Sequence, residues 1–450
     1  MYCWILLYLV QSILLPVHTR YRYVIAVASR HNDLKLKSCT ATATTTGTTL
    51  VTTTKSSTVT STTSASSTTS STIATTTSTT TSTTTASSVV SAISSYATTD
   101  GMAFIIDGKP TYFMGTNTYY IGFLTDNADV DLIMGHIAAT GLKVLRVWGF
   151  NDVNSIPSAG TVWFQSFVSG ASPVINTGVD GLQRLDYVVQ SAEAHGISLI
   201  INFVNNWTNY GGMAAYCTYY GISPVTAWYT NAAAQAQYKA YIAAVVARYK
   251  TSTAVFAWEL ANEPRCTGCS TDVLTTWIAD ISAYIKSLDS NHMVCIGEEG
   301  FGVTADSDGS YPFTTGPGTN FTANLNVSTI DFGTYHLYPS SWGEADTWGP
   351  LWIKAHATEA LALGKPVILE EYGSLTLLDE LPWIAEVLAT DTAGLMYWQY
   401  GDDLSTGLTN NDGYAIYYGS ADYTTLVSLN FFFFFFFWLR SCSCLCFCLR

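Results

Sequence analysis

Charge is scarce in this sequence. Asp, Glu, Lys and Arg make up 12% of its 450 residues, and the bases are the poorer side, 19 against 33 acids. The resulting net charge of −14 repels phosphate, which disfavours nucleic acid and anionic membrane as partners. Basic residues are also missing ahead of the first apolar run, 4–17, and that run is too short to span a bilayer. It resembles the core of a secretion signal, with Ala26-Val27-Ala28 as a cleavage site beyond Arg20 and Arg22; a wrongly assigned gene start is the other reading of residues 1–38. Large apolar side chains are nearly absent from 39–99, a tract of Thr, Ser, Ala and Val with a single Lys. Such a tract cannot offset the entropy of folding, so a disordered linker is expected there, of a composition that commonly carries O-linked sugars.

What is abundant points elsewhere. Thirteen Trp and twenty-eight Tyr supply flat apolar faces with polar edges, which suit the C–H faces of sugars, although many must simply fill a core. Asn-x-Ser/Thr sequences at Asn206, Asn320 and Asn326, with the Thr/Ser tract, favour an oxidising secretory route and an extracellular protein. From Asp100 onward, short β-rich apolar runs alternate with amphipathic stretches, the pattern of parallel strands and crossover helices. Strands are expected at 112–117, 143–148, 198–204, 255–263, 293–299, 332–338, 366–372 and 394–400. Helices are expected at 130–140, 182–195, 232–249, 272–288, 351–363 and 382–389. Ser270 or Thr271 would start one helix, and Gly141, Gly196 and Gly364 would follow others.

Eight strands over this length imply an α/β (β/α)8 TIM barrel, preceded by the linker. Beyond Val427 come seven Phe and the alternating Cys442, Cys444, Cys446 and Cys448. Alternating cysteines suit metal or lipid, but a Phe homopolymer reads better as translated non-coding DNA, so the closing helix of the barrel is expected to be missing. The organisation is thus an uncertain 1–38, a linker at 39–99, a catalytic domain at 100–429 and an aberrant tail at 430–450.

In such a barrel, functional groups stand at the C-terminal ends of the strands. The fourth strand runs into Asn262-Glu263-Pro264, and Pro264 stops the ladder directly after the acid. The seventh ends in Glu370-Glu371-Tyr372-Gly373. Strands four and seven face each other across the mouth, so Glu263 and Glu371 form a candidate catalytic pair. Two carboxyl groups about 5 to 5.5 Å apart suit a retaining double displacement, one attacking the anomeric carbon and one serving as acid and then base. A single strand-end Glu would more simply cap a helix or pair with Arg. Asn262 is positioned to reach a sugar 2-hydroxyl, and Glu298 and Glu299 on strand five are the rival acids.

The stretches RVWGFNDVN, LDYVVQSAE, FVNNW, FAWELANEPRCTGCSTDV, KSLDSNH, DFGTYHLYP, SWG, GKPVILEEYG and YWQYGD, spread over 104–427, resemble glycoside hydrolase family five, and within it the secreted fungal-type endo-β-1,4-mannanases. The resemblance implies that Glu263 is the acid/base and Glu371 the nucleophile, with Arg146 holding the nucleophile ionised. It makes His336 and Tyr338 a strand-six pair touching nucleophile and sugar, Trp398 a platform beneath the cleaved residue, and Trp148 and Trp207 further cleft walls, an ordinary core role being the equal alternative for each of these two. Arg265 matches an arginine on the leaving-group side of mannanases. Cys266 and Cys269 resemble a short family disulfide; their spacing alone equally suits a redox or half-zinc motif, and no second pair of zinc-ligand type accompanies them.

The chain departs from the family at Thr118-Tyr119-Tyr120-Ile121, where paired cysteines are common, and Cys217 and Cys295 lack obvious partners. The implied activity is endo-hydrolysis of β-1,4-mannosidic bonds in mannan, galactomannan and glucomannan, with no cofactor and no metal, by a secreted monomer whose partner is β-mannan. A β-1,4-glucanase of the same fold and a non-catalytic carbohydrate-binding wall protein are the alternatives.

Overall fold

The computed structural model describes residue 93, residues 95–426, and three short strands nearer the start, Trp4–Leu7, Tyr23–Ala28 and Lys37–Cys39. Those three form an antiparallel sheet, with Trp4 opposite Ala28 and Tyr23 opposite Cys39. Of the apolar run 4–17 only Trp4–Leu7 is described, and most of the expected linker and the whole 430–450 tail lie outside the described residues.

The second unit carries eight parallel strands. They are β1 (Phe113–Asn117), β2 (Val144–Trp148), β3 (Ser198–Asn202), β4 (Val255–Glu259), β5 (Met293–Cys295), β6 (Gly333–Leu337), β7 (Val367–Tyr372) and β8 (Gly394–Tyr397). Each pairs with its sequence neighbour, and β8 returns to pair with β1, so the ladder runs from β5 through β1 and β8 to β6. Only the β5–β6 seam lacks a ladder. Five bonds bridge it: Asp331 N–H to Val294 O (2.9 Å), Val294 N–H to the Asp331 carboxylate (2.6 Å), Gly297 N–H to Thr334 Oγ1 (3.1 Å), the Thr334 hydroxyl to Glu298 O (3.3 Å) and His336 N–H to Glu299 O (3.2 Å). The curved wall needs close backbone approach. A Cβ on Gly115 would lie 2.3 Å from the Val144 carbonyl oxygen, so β1 and β2 can meet there only at glycine.

Among the described residues, seven helices of nine residues or more lie on or above this wall: α1 (Asn127–Ala139), α2 (Leu182–His195), α3 (Gly212–Tyr220), α4 (Ala232–Tyr249), α5 (Thr271–Leu288), α6 (Gly349–Leu363) and α7 (Leu377–Ala389). Their ends follow capping chemistry: Asp126 accepts from Ala128 N–H and Asn231 from Ala234 N–H, while Gly196 and Gly364 close α2 and α6 in the left-handed conformation. Ser270 precedes α5 but its hydroxyl caps nothing. No described helix is long and apolar enough to cross a membrane.

The floor of the barrel is closed by a hairpin pair, Thr98–Asp100, Ala103–Ile106 and Lys109–Thr111. Phe104, fully buried, meets the rings of Phe113, Phe256 and Phe332 at 5.1–5.5 Å, a contribution of roughly 2–3 kcal/mol from one side chain. With this end plugged by apolar rings, polar chemistry is confined to the opposite mouth. One expectation is corrected: a helical turn follows the barrel at 421–426, with Tyr423 and Leu426 buried, so the closing helix is at least begun. The extra helix α3 and the hairpin floor had no counterpart in the expected elements.

Candidate active site

Strand β4 leaves its ladder at Glu259, four residues earlier than the sequence pattern indicates. Its backbone nonetheless stays threaded between its neighbours: Asn262 N–H reaches Val204 O (2.8 Å) and Glu263 N–H reaches Gly297 O (2.8 Å). Glu263 has φ 49°, left-handed for a residue with a Cβ, a conformation that costs on the order of 1–3 kcal/mol and clusters at functional positions. This turn presents its carboxylate to His336 Nδ1 at 2.8 Å and to the Trp207 indole N–H.

Strand β7 solves a different problem. Against β6 its register slips by one residue, Tyr335 facing Leu369 but His336 facing Glu371. A bulge of this kind re-aims side chains, and here it brings two consecutive acids to the barrel axis. Glu370 is fully buried, 3.3 Å from His336 Nε2 and 3.7 Å from Arg146 Nε. Glu371 reaches the mouth, where the Tyr338 hydroxyl donates to its Oε2 (2.9 Å) and Arg146 Nη1 to its Oε1.

Arg146, buried in the middle of β2, ties the floor of the site together. Its Nε and Nη2 fork onto Glu259 at 2.8 and 2.7 Å, Nη2 also reaches Asn262 Oδ1 (2.8 Å), and Nη1 spans Asn117 Oδ1 (3.2 Å) and Glu371. Fork geometry of this kind fixes direction as well as charge. Asn262 in turn donates to Asn205 (3.0 Å).

A carboxylate oxygen of Glu263, one of Glu371 and a His336 nitrogen lie within 4.8 Å of one another. Glu259, Cys295 and Glu370 make a second such group below. Either donor set could in geometry meet a cation, but the upper one already accepts from Arg146, Tyr338 and Trp207, and Arg146 forks onto the lower one.

Burial is the largest influence on both upper acids and raises each. On Glu371 it prevails over His336 and Arg146, with the Glu263 charge adding, so this carboxyl sits above its ordinary range; on Glu263 donation and charge from His336, with Trp207 and Arg265, win and hold it below. Burial opposes a charge on His336, but Glu371, Glu263 and Glu370 outweigh it and raise the imidazole well above its usual value. These shifts disfavour an ionised Glu371 beside a protonated Glu263, and the hydrogen-bond donors decide how that state can form. Both Glu371 oxygens face donors, Arg146 and Tyr338, whereas His336 Nδ1 can return its proton to Glu263 Oε1 while Nε2–H still faces Glu370. With Glu371 held ionised by its two donors, transfer of the His336 Nδ1 proton along a hydrogen bond of 2.8 Å gives a neutral Glu263 beside it.

These acids open onto a cleft of about 530 Å3. Eight of the ten expected site residues line it: Glu263, Glu371, Trp148, Trp207, Asn262, Arg265, Tyr338 and Trp398; Arg146 and His336 lie beneath. Trp398 stacks on Tyr119 (5.3 Å, 12°) and is fixed by Asp412 (2.7 Å). Trp148 is mostly a floor residue against Tyr119 and Phe150, whereas Trp207 is 41% exposed. The Arg265 guanidinium lies between the rings of Trp207 and Phe301, at 5.1 and 4.8 Å, and is clamped by both oxygens of Glu299. The rival acids thus have other partners, Glu298 being buried against Thr319 and Asn324.

Cys266 and Cys269 are disulfide-bonded beside Arg265, and Cys217 and Cys295 are free and buried. Sequence reasoning missed Tyr311, on a short 3-10 turn, and Asp412 and Tyr414, on loops, which line the cleft without a strand-end signature, and Asn205, for which the strand-three terminus was a usable signal.

A family model described as GH family 5 β-mannosidase-like matches residues 94–377. The chain is 60% identical over 338 residues to mannan endo-1,4-β-mannosidase A of Aspergillus aculeatus, covering 74% of this chain and 89% of that one. It is 54% identical to mannan endo-1,4-β-mannosidase A of Hypocrea jecorina, covering 74% and 77%. Among solved structures it is similar to the endo-1,4-β-mannanase from Rhizomucor miehei, with TM-score 0.69, 38% identity and 75% and 98% coverage. It is also similar to the endo-β-1,4-mannanase from Thermotoga petrophila, with TM-score 0.63, 30% identity and 73% and 78% coverage.

Proposed function

The chain belongs to the β-mannosidase-like group of glycoside hydrolase family five, and from that premise we propose that it is an endo-acting hydrolase of β-1,4-mannosidic bonds in mannan, galactomannan and glucomannan, working with retention of configuration. The observation that carries the chemistry is the pair of opposed strand-end carboxylates, with oxygens within 4.8 Å across the mouth. That separation suits attack on the anomeric carbon from one side and proton delivery from the other.

In this reading Glu371 is the nucleophile. Arg146 and Tyr338 stabilise its charge, and His336 supplies Glu263 with the proton that Glu263 gives to the leaving oxygen. Glu263 then takes a proton from water, and the hydroxide carbon–oxygen bond replaces the bond to Glu371. Trp398 and Trp207 serve as sugar-facing walls, Trp148 as part of the floor, Asn262 as a 2-hydroxyl contact, and Arg265 as the leaving-group-side residue that favours mannan. The scheme uses no cofactor and no metal. Domain limits of 39–99 for a Ser/Thr-rich tether and 100–429 for the catalytic part, an extracellular location, and action as a monomer without nucleic-acid or membrane partner complete the proposal; composition supports the tether, net charge the partners left out, and the fungal mannanase relatives the extracellular location.

Initial rates of reducing-end release test it. Galactomannan and glucomannan should be cleaved in preference to carboxymethylcellulose, and Glu371→Ala should abolish release while keeping the far-ultraviolet dichroism of the parent. Preference for carboxymethylcellulose would overturn the substrate assignment; full activity in the variant would overturn the mechanism.

A further inference from the structure

We propose that, of the three Asn-x-Ser/Thr sequences, Asn326 is the one that carries an N-linked glycan, and that Asn206 and Asn320 stay bare. The inference rests on the secretory reading above. Sugar transfer to a nascent chain precedes folding, so the finished fold decides which asparagines can keep an oligosaccharide without loss of packing.

Asn326 meets that condition. It closes the short helix Phe321–Leu325, and both it and Ser328, the hydroxyl residue of its sequence, are exposed. Among the described residues no hydrogen bond uses its side chain, so a glycan there displaces nothing. The turn beneath is fixed: Lys365 Nζ donates to the carbonyl oxygens of Leu325, Val327 and Ile330 at 2.8, 2.7 and 2.7 Å. The turn precedes β6 at Gly333, at the N-terminal end of the strands, opposite the mouth that holds Glu263 and Glu371.

The other two fail on separate grounds. Asn320 is half-buried, with its Oδ1 accepting from Ala323 N–H (3.0 Å) as a helix cap; Phe321 is fully buried and Thr322 Oγ1 is shut away from solvent. The backbone of Gly302 packs against that of Asn320, where a Cβ would lie 3.2 Å from Asn320 Cα, so the capping turn is held from behind as well. Asn206 is half-buried at the lip of the cleft, its N–H bonded to Asn262 O (3.1 Å), between Asn205 and Trp207, which both line the cavity. A glycan there would occupy the path of a polymeric substrate.

The transfer itself needs a lipid-pyrophosphate-linked oligosaccharide and the membrane transferase of the secretory route. Asn326 Nδ2 bonds to C1 of the first sugar, the C1–O bond to pyrophosphate breaks with its electron pair leaving on phosphate, and one amide proton passes to a base of the transferase.

The test expresses the full chain in a secretory yeast behind the host's own leader. Medium and microsomal fractions are treated with peptide N-glycosidase in heavy-oxygen water, which converts each carrying Asn to labelled Asp, and the peptides are sequenced by mass spectrometry. Label is expected on Asn326 alone, and Asn326→Gln should lose it completely while keeping the parent kcat/KM on mannan. Label on Asn206 or Asn320, or an unlabelled Asn326, overturns the proposal. If Asn326 is labelled behind the yeast leader yet the chain's own first residues fail to export it, the secretory reading fails and the site assignment stands.

Discussion

Replacing Tyr338 by Phe removes one hydroxyl, 2.9 Å from Glu371 Oε2, and keeps the ring that packs edge-on to Tyr414. A hydrogen bond to a charged acceptor is worth roughly 1.5–3 kcal/mol. The donor stabilises the ionised carboxylate, so its loss raises the Glu371 carboxyl, in the direction burial already pushes it. At about 1.4 kcal/mol per pKa unit, the rise is about one to two units. Activity that needs ionised Glu371 is lost as pH falls through its pKa, so the acid limb of kcat/KM should move up by that amount. Below the limb the variant should be roughly 10- to 100-fold slower, and on the plateau above it much closer to the parent. The assay is kcat/KM against pH on a soluble manno-oligosaccharide. An acid limb that stays in place while the plateau falls would refute the reasoning, because Tyr338 would then act on the sugar and not on the charge of Glu371.

Other outcomes follow from the same geometry. Glu263→Ala should lose about 10²–10⁴-fold on mannan, where the leaving group needs a proton, but far less on an aryl mannoside with a good leaving group, and azide should restore turnover and give the β-mannosyl azide as product. Arg265→Ala removes the fork onto Glu299 and the cation between Trp207 and Phe301; mannan kcat/KM should fall at least about tenfold with less effect on carboxymethylcellulose, measured by initial rates. Glu298 is pushed from 4.5 to about 7 by burial, which outweighs donation from Asn324 and Thr319 and the charge of His336. Its folded value lies above its unfolded one, so the stability it contributes is complete below about pH 4.5 and is lost as pH rises through about 7, about 3 kcal/mol in all. Glu298→Gln should therefore flatten the fall in unfolding free energy between mildly acidic and mildly basic pH, read from urea midpoints; an unchanged slope would exclude this carboxyl as its source.

Much of the barrel is legible in the sequence because period and punctuation agree there. Helices α2 and α4 begin and end where the sequence pattern puts them, with Gly196 marking the end of α2, and all eight strands fall within the expected runs. Strand ends are less legible: β4 stops at Glu259 because the residues up to Glu263 bond to both neighbours without a regular register, a property of the neighbours and not of the segment. The closing turn at 421–426 was hidden by the Phe-rich tail that follows it. In the site, strand-end acids are visible as motifs, but the bulge that separates the positions of Glu370 and Glu371 depends on the β6 register, and Tyr311, Asp412 and Tyr414 reach the cleft from a 3-10 turn and loops with no periodic signal.

The central claim is that Glu371 attacks the sugar. A 2-deoxy-2-fluoro-β-mannosyl fluoride slows the second displacement and lets the covalent intermediate accumulate, so proteolysis and mass spectrometry can locate the label. The account predicts a single labelled peptide with the sugar on Glu371. Label on Glu370 or Glu299, or no label together with an inverted first product, would contradict it.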